Sequence, residues 1–397
     1  MPEIAVLFHR LGPYHHARLE AAANVCHLNA IEFTAVDNTY SWDLVKASGN
    51  YAVIQLFADA DIDTKPIGLI ETRVDEVLTS IRADAVAIPG WSSPVALAAL
   101  AWCRSTRTPA ILMSDSTAHD EPRKPWKEWV KSRVVRQFSS ALVAGLPHVE
   151  YAASLGMPRE RIFTGYDVVD NTYFQTHSDA ARQNATVLRK VHGLPDRYFL
   201  ASNRFVEKKN LPRLVDAYAA YLRKAGEHAW SLVLVGDGPL MPAIRSQVER
   251  LGLEGHVHFP GFKQYDELPV YYGLASAFVQ ASTSEQWGLA VNEAMASGLP
   301  VLVSERCGCA PDLVRQGVNG FTFDPYDIDG LAGLMLRISD GQCDLAAMGR
   351  ESRSIVSGFT PEIFAENMLK AAEAALAAPG QRLGWFDRAL LWALMRR

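Results

Sequence analysis

Long apolar runs are missing from this 397-residue chain: none reaches the roughly 18 residues of a bilayer-spanning helix. Cysteine is scarce and scattered. Its five positions, Cys26, Cys103, Cys307, Cys309 and Cys343, are odd in number, which argues against a disulfide framework and for a reducing compartment. Cys307-Gly308-Cys309 is the only close pair, and without a second cluster or added histidines no metal site is expected. A basic excess is also missing, since 39 Lys and Arg face 44 Asp and Glu for a net charge of −5. Nucleic acid is therefore not the expected partner. No G-x-G-x-x-G follows an early strand and no G-x-S-x-G occurs, which sets aside a dinucleotide oxidoreductase and a serine-hydrolase elbow. The opening Met-Pro-Glu and the short run Ile4–Phe8 do not read as a signal peptide, so a cytoplasmic location is expected.

What is present is a soluble-type composition, 49% hydrophobic and 21% charged, in a chain long enough for two or three domains. Short apolar runs at 4–8, 31–36, 52–57, 84–88, 109–113, 141–144 and 161–164 alternate with Ala-rich helical spacing at 16–27, 71–82 and 94–104. That alternation predicts βαβ units and a mainly parallel sheet. Residues 170–196 are polar and suit a linker plus one helix. The alternation then restarts, with strands at 198–202, 231–235, 256–259, 276–279 and 300–303 and helices at 210–225, 239–251, 285–297 and 327–338. The expected architecture is α/β, with two doubly wound Rossmann-like domains facing a central cleft. Their expected bounds are 1–180 and 181–376, followed by an amphipathic tail at 377–397.

The richest stretch runs from Ser284-Glu285-Gln286-Trp287-Gly288-Leu289 through Asn292-Glu293-Ala294-Met295 to Ser297-Gly298-Leu299-Pro300. Gly288 and Leu289 stand at a helix start, where backbone N–H groups favour an anion. Glu285 precedes that helix and Glu293 lies inside it. This stretch resembles the Glu-x7-Glu block of family 4 (group 1) retaining glycosyltransferases, which have the GT-B fold. Further segments fit in the same order: Asn203-Arg204-Phe205 to Lys208-Lys209-Asn210, Gly236-Asp237-Gly238-Pro239, Phe259-Pro260-Gly261-Phe262 and Gly317-Val318-Asn319-Gly320-Phe321. The match is strong over 198–340 and weaker before it.

The resemblance implies transfer of a sugar from a GDP- or UDP-sugar to a glycan, glycolipid or polyprenyl-linked acceptor, with retention of configuration. A sugar-nucleotide epimerase of the same fold and a non-catalytic nucleotide-sugar-binding protein are the alternatives. Arg204 and Lys209 supply cations for the departing diphosphate. By resemblance Glu285 holds the transferred sugar and Glu293 the ribose. Gly12, Gly236, Gly238, Phe262, Gly288 and Leu289 complete the donor side. His119, after strand 109–113, is the best match to a histidine that contacts the donor sugar in the family; a loop residue with a structural hydrogen bond is the other reading. Tyr14, His15, Arg18 and Asp115 are acceptor-side candidates. Neither a metal nor another cofactor is expected beyond the nucleotide sugar as co-substrate.

Two segments point elsewhere. Residues 123–138 form a basic amphipathic helix, with Trp126, Val130, Val134 and Phe138 at helical spacing among six Lys and Arg. Residues 384–397 are aromatic and apolar and end in Arg396-Arg397. Both patterns suit an anionic membrane surface, which would make the protein peripheral on the cytoplasmic face. For the first segment a polyanionic acceptor, and for the tail packing on the first domain, are the other readings.

Overall fold

The computed structural model describes residues 1–34, 49–58, 62, 65–378 and 384–396. They divide into two compact units, Met1–Val168 with Thr360–Arg397, and Val169–Phe359. The first unit holds strands β1 (Glu3–Phe8), β2 (His27–Thr34), β3 (Ala52–Phe57), β4 (Ala85–Pro89), β5 (Ala110–Ser114), β6 (Ser140–Val143) and β7 (Ile162–Phe163). Every pairing is parallel, in the order β3-β2-β1-β4-β5-β6-β7. The second unit holds β8 (Tyr198–Ser202), β9 (Ser231–Val235), β10 (Val257–Gly261), β11 (Ala277–Gln280), β12 (Val301–Ser304) and β13 (Gly320–Phe323). Their order is β10-β9-β8-β11-β12-β13, again parallel.

Helices cover both faces of such sheets, so the central strands are apolar without alternation. Ile4, Ala5, Val6 and Leu7 are at most 1% exposed, and Leu232, Val233 and Leu234 are fully buried. In each unit the strand order reverses beside the first strand, between β1 and β4 and between β8 and β11. Ligands of doubly wound sheets sit at the carboxyl ends of the strands on either side of that reversal.

Three expectations shift. The polar stretch 170–196 forms two helices, Asn171–Gln183 and Ala185–His192. Asp170 caps the first by accepting the Tyr173 N–H at 2.8 Å, and Phe174, Ser178 and Ala181 bury one face, so few apolar residues suffice. Gly320–Phe323, expected only as part of a turn, continues as an edge strand on β12. The expected strand 31–36 starts earlier, at His27, and its last two residues lie outside the described ones.

The boundary between units also differs from 180/181 and 376/377. Helix Pro361–Ala377 returns to the first unit and buries Phe364, Ala365, Met368, Ala371, Ala372 and Ala375 there. Ser140 Oγ donates to the Ala371 carbonyl (2.7 Å) and Asn367 Nδ2 to the Thr164 carbonyl (3.0 Å). The last helix, Trp385–Met395, packs on the same unit, with Leu391 and Met395 in its core and Arg133 paired to Asp387 at 2.6 Å. Among the described residues no helix is long and apolar enough to cross a membrane.

Candidate active site

At the carboxyl end of β8 the chain passes through Asn203–Val206 and a 3₁₀ turn, Glu207–Lys209, into helix Leu211–Ala225. Asn210 makes the junction. Its φ of 57° and ψ of 30° are left-handed, a conformation asparagine tolerates better than most side chains. Its buried carboxamide donates to the carbonyls of Ala281 (3.0 Å) and Pro325 (2.9 Å), and its oxygen accepts from Arg213 (3.0 Å). The Thr283 N–H adds a bond to the Lys208 carbonyl at 2.9 Å. One buried asparagine thus ties the loop after β8 to the loop after β11.

That tie brings Lys209 onto Glu285. Their side chains, 15% and 12% exposed, form a direct ion pair. Glu285 is also fixed through its backbone: it donates to the Arg306 carbonyl (3.3 Å) and accepts the Gly308 N–H (2.9 Å). Ser282 Oγ donates to the same carboxylate at 3.2 Å, and Gln280 Nε2 lies 3.4 Å from it. Gln280 Nε2 also donates to Asn203 Oδ1 and Ser282 Oγ, both at 3.0 Å, so three acceptors set the orientation of this amide. Gln280 Oε1 and Asn203 Nδ2 are then left buried without a protein partner, one acceptor and one donor. Buried orphans of this kind are uncommon and call for an explanation. Arg204 is exposed on the loop that follows β8.

Gly288 caps helix Leu289–Ala296 with φ 110°, which a side chain would strain. The helix therefore starts at 289, and Glu285 stays in the loop. Glu293 lies in the second turn, only 3% exposed, and accepts a 2.5 Å hydrogen bond from the hydroxyl of Tyr272. Burial raises the Tyr272 hydroxyl well above its ordinary pKa, and the Glu293 charge adds to the effect. Burial raises Tyr265 too, again with Glu293 contributing. The two glutamates thus occupy different surroundings, one beside a cation and one among phenols.

Gly236 (φ 127°) and Gly238 (φ 154°) have a packing reason that involves no ligand. A Cβ on Gly236 would stand 1.8 Å from the Asn203 carbonyl oxygen, and one on Gly238 would stand 2.8 Å from that of Phe205. Phe262 is 41% exposed just after β10. Cys307 and Cys309 are buried, and desolvation drives both thiols far above their ordinary pKa, so they stay protonated.

In the first unit, Gly12 and Pro13 open helix Pro13–Ala22 after β1. The Leu11 N–H donates to the buried Glu32 (2.8 Å), and the Gly12 N–H donates to Nδ1 of His15 (3.1 Å). Helix Leu146–Ser154 repeats this device with Gly145 and His148, also at 3.1 Å. Accepting through Nδ1 requires an unprotonated ring nitrogen. Burial, then the charges of Arg18 and His16, lower the His15 pKa from 6.5 to about 3. The unfolded chain binds this proton below about 6.5 and the folded chain does not, so the group's contribution to stability falls as pH drops from 6.5 toward 3. His15→Gln keeps an acceptor without the titration and is expected to flatten melting temperature against pH in that window; an unchanged profile would refute the assignment.

Arg18, expected to face an acceptor, is 2% exposed and turned inward. It donates to the Val168 carbonyl (3.2 Å), pairs with Asp167 (3.5 Å) and lies over the Tyr166 ring, so it fastens its helix to the segment after β7. Asp115 is half-buried at the end of β5, close enough to Tyr166 to raise its pKa, though less than burial and Asp167 do. Tyr14 is half-buried on the first turn of helix Pro13–Ala22. His119 is exposed on a turn held by Thr117, Asp120 and Arg123. The basic segment is largely neutralised: Arg123, Lys127, Lys131 and Arg133 pair with Glu121, Glu128 or Asp387.

Sequence reasoning overlooked Gln280, Ser282 and Tyr272. Gln280 had a legible signal, a polar side chain closing the apolar run Ala277-Phe278-Val279. Tyr272 had none, because its partner lies 21 residues away.

Two parallel sheets of this order define the GT-B fold, and solved structures of that fold cover nearly the whole chain. HepE of Anabaena, solved with UDP, superposes with a TM-score of 0.72 at 19% identity, covering 94% of this chain and all of that one. Sucrose-phosphate synthase of Thermosynechococcus elongatus gives 0.74 at 19%, covering 95% of this chain and all of its own. Residues 185–354 match the family described as glycosyl transferases group 1. Mannosylfructose-phosphate synthase of Agrobacterium fabrum is 30% identical over 191 residues, 46% of this chain and 40% of the relative. A GDP-mannose-dependent phosphatidylinositol monomannoside mannosyltransferase of Mycolicibacterium smegmatis is 30% identical over 193 residues, 47% and 49% of the two chains. The chain thus spans half or less of these curated relatives.

Proposed function

We propose that this protein is a cytoplasmic retaining hexosyltransferase, moving a sugar from a GDP- or UDP-sugar to a hydroxyl of a glycan, glycolipid or polyprenyl-linked acceptor. The observation that carries the reading is the cluster at the ends of β8 and β11. There Lys209 pairs with Glu285, and Asn203 Nδ2 and Gln280 Oε1 are buried without protein partners. Hydroxyl and phosphate groups of a donor would satisfy both amide atoms, and a diphosphate would draw Lys209 from the carboxylate, freeing Glu285 for sugar hydroxyls. Relatives bearing GDP-mannose or UDP in their names support a nucleoside diphosphate sugar and leave the base open. In this reading the departing phosphate helps deprotonate the acceptor hydroxyl on the same face, and Arg204 and Lys209 stabilise the charge it gains.

Glu293 would accept the ribose hydroxyls, with Tyr272 holding one carboxylate oxygen. Tyr272→Phe is expected to raise the donor KM several-fold and leave kcat nearly unchanged, as loss of uniform binding does. An unaltered KM would remove Glu293 from the ribose. The function itself is tested by a thermal-shift panel of UDP- and GDP-sugars, followed by mass spectrometry of reactions with polyprenyl-linked acceptors. Stabilisation by a nucleotide sugar and a product heavier by one hexose are expected. A donor epimer formed without acceptor would overturn the reading.

A further inference from the structure

We propose that helices Pro125–Val135 and Trp385–Met395 together form a docking surface that seats the first unit on an anionic lipid bilayer. The surface goes beyond the transferase reading and requires no donor. Four of the chain's nine tryptophans stand exposed on these two short helices: Trp126 (57%), Trp129 (53%), Trp385 (82%) and Trp392 (57%). Phe386, 39% exposed, links them, with ring centroids 5.9 Å from both Trp129 and Trp385. A concentration of exposed rings in one place marks an interaction surface rather than ordinary surface scatter.

The inner side of the last helix already has its partners. Leu391 and Met395 are buried in the core, Asp387 pairs with Arg133, and Arg396 pairs with Glu71 at 3.2 Å. The helix is therefore held in place with its tryptophans turned outward. Indole rings settle at the boundary between headgroups and acyl chains, where the apolar ring and the N–H both find partners. Amphipathic helices that lie in that plane carry aromatic residues on one side and basic ones on the other.

Charge favours a lipid over a second copy of the chain. Residues 123–136 carry six Lys and Arg against one Glu, and 384–397 carry three Arg against one Asp, in a chain of net charge −5. Lys124 and Arg388 are exposed and form no ion pair among the described residues. A second copy would set this positive surface against itself. An anionic headgroup layer complements it. Because most cations of the first helix are paired internally, the rings carry the adhesion and the unpaired cations, Lys124 and Arg388 among them, its preference for anionic lipid.

The test is flotation of the full chain with phosphatidylglycerol vesicles and with neutral phosphatidylcholine vesicles, in the absence of nucleotide sugar. The wild-type chain is expected to float with the anionic vesicles. The variant W126S/W129S/W385S/W392S should lose about tenfold or more of the bound fraction, with an unchanged melting curve because these side chains are exposed. The variant K124E/R388E should keep its weak binding to neutral vesicles and lose the anionic preference. A wild-type chain that stays at the bottom of the gradient, or a tryptophan variant that floats as well as wild type, overturns the proposal. So does a dimer in sedimentation velocity that the tryptophan variant abolishes when neither protein floats.

Discussion

Lys209→Ala is expected to lower the transfer rate about 10²-fold or more, the loss typical when one preorganised charge aimed at a developing anion is removed. The side chain is 15% exposed and paired with Glu285, on a loop clamped by Asn210 and the Thr283–Lys208 bond, so its ammonium is held before any donor arrives. If Lys209 acts on the leaving group, kcat falls and Lys209→Arg, which keeps the charge, recovers part of it. If Lys209 serves only to orient Glu285, the losses in Lys209→Ala and Glu285→Ala do not add, and a double-mutant cycle reveals the coupling. Arg204→Ala should lose rate on the same scale. Near-normal transfer by Lys209→Ala would sink the assignment.

Gly236→Ala carries the largest expected cost in stability, about 3 kcal/mol or more, from a strained backbone and a steric overlap together. The glycine has φ 127°, and a Cβ would stand 1.8 Å from the Asn203 carbonyl oxygen. The segment it would push cannot yield cheaply. The Asn203 N–H bonds the Val235 carbonyl (3.0 Å), the Phe205 N–H bonds that of Asp237 (2.8 Å), and the Leu240 N–H bonds that of Phe205 (3.0 Å). Gly252→Ala is the control: at φ 66° with nothing within 4 Å, it should cost only about 1 kcal/mol. Denaturant midpoints separate the two. Equal midpoints would return Gly236 to a role in ligand binding alone.

Much of the architecture was legible because parallel sheets write themselves as apolar runs between helical patterns. The strands at 198–202 and 231–235 match that reading to the residue, and most others fall within a residue or two. Elements whose stability is tertiary were not legible. Helix Ala185–His192 has no buried residue and is tied down by Arg189, which donates to the Leu274 carbonyl (2.9 Å), and β13 depends on pairing with Val301–Ser304. Among site candidates, Lys209 and Glu285 were readable as a motif, whereas Arg18 misled because an arginine near a helix start looks exposed until Asp167 arrives from the other end of the unit. The basic helix misled in part as well, since its acidic partners lie at Glu121 and in the last helix.

The sequence alone determined the α/β alternation, the restart of the pattern near residue 198 and the ordered motifs of the second unit, because periodicity and turn chemistry are local. Tertiary structure decided that helix Pro361–Ala377 belongs to the first unit, that Lys209 neutralises Glu285, that Tyr272 holds Glu293, and which tryptophans remain on the surface. Each of these depends on residues far apart in the chain, whose burial and pairing exist only once the sheets have formed.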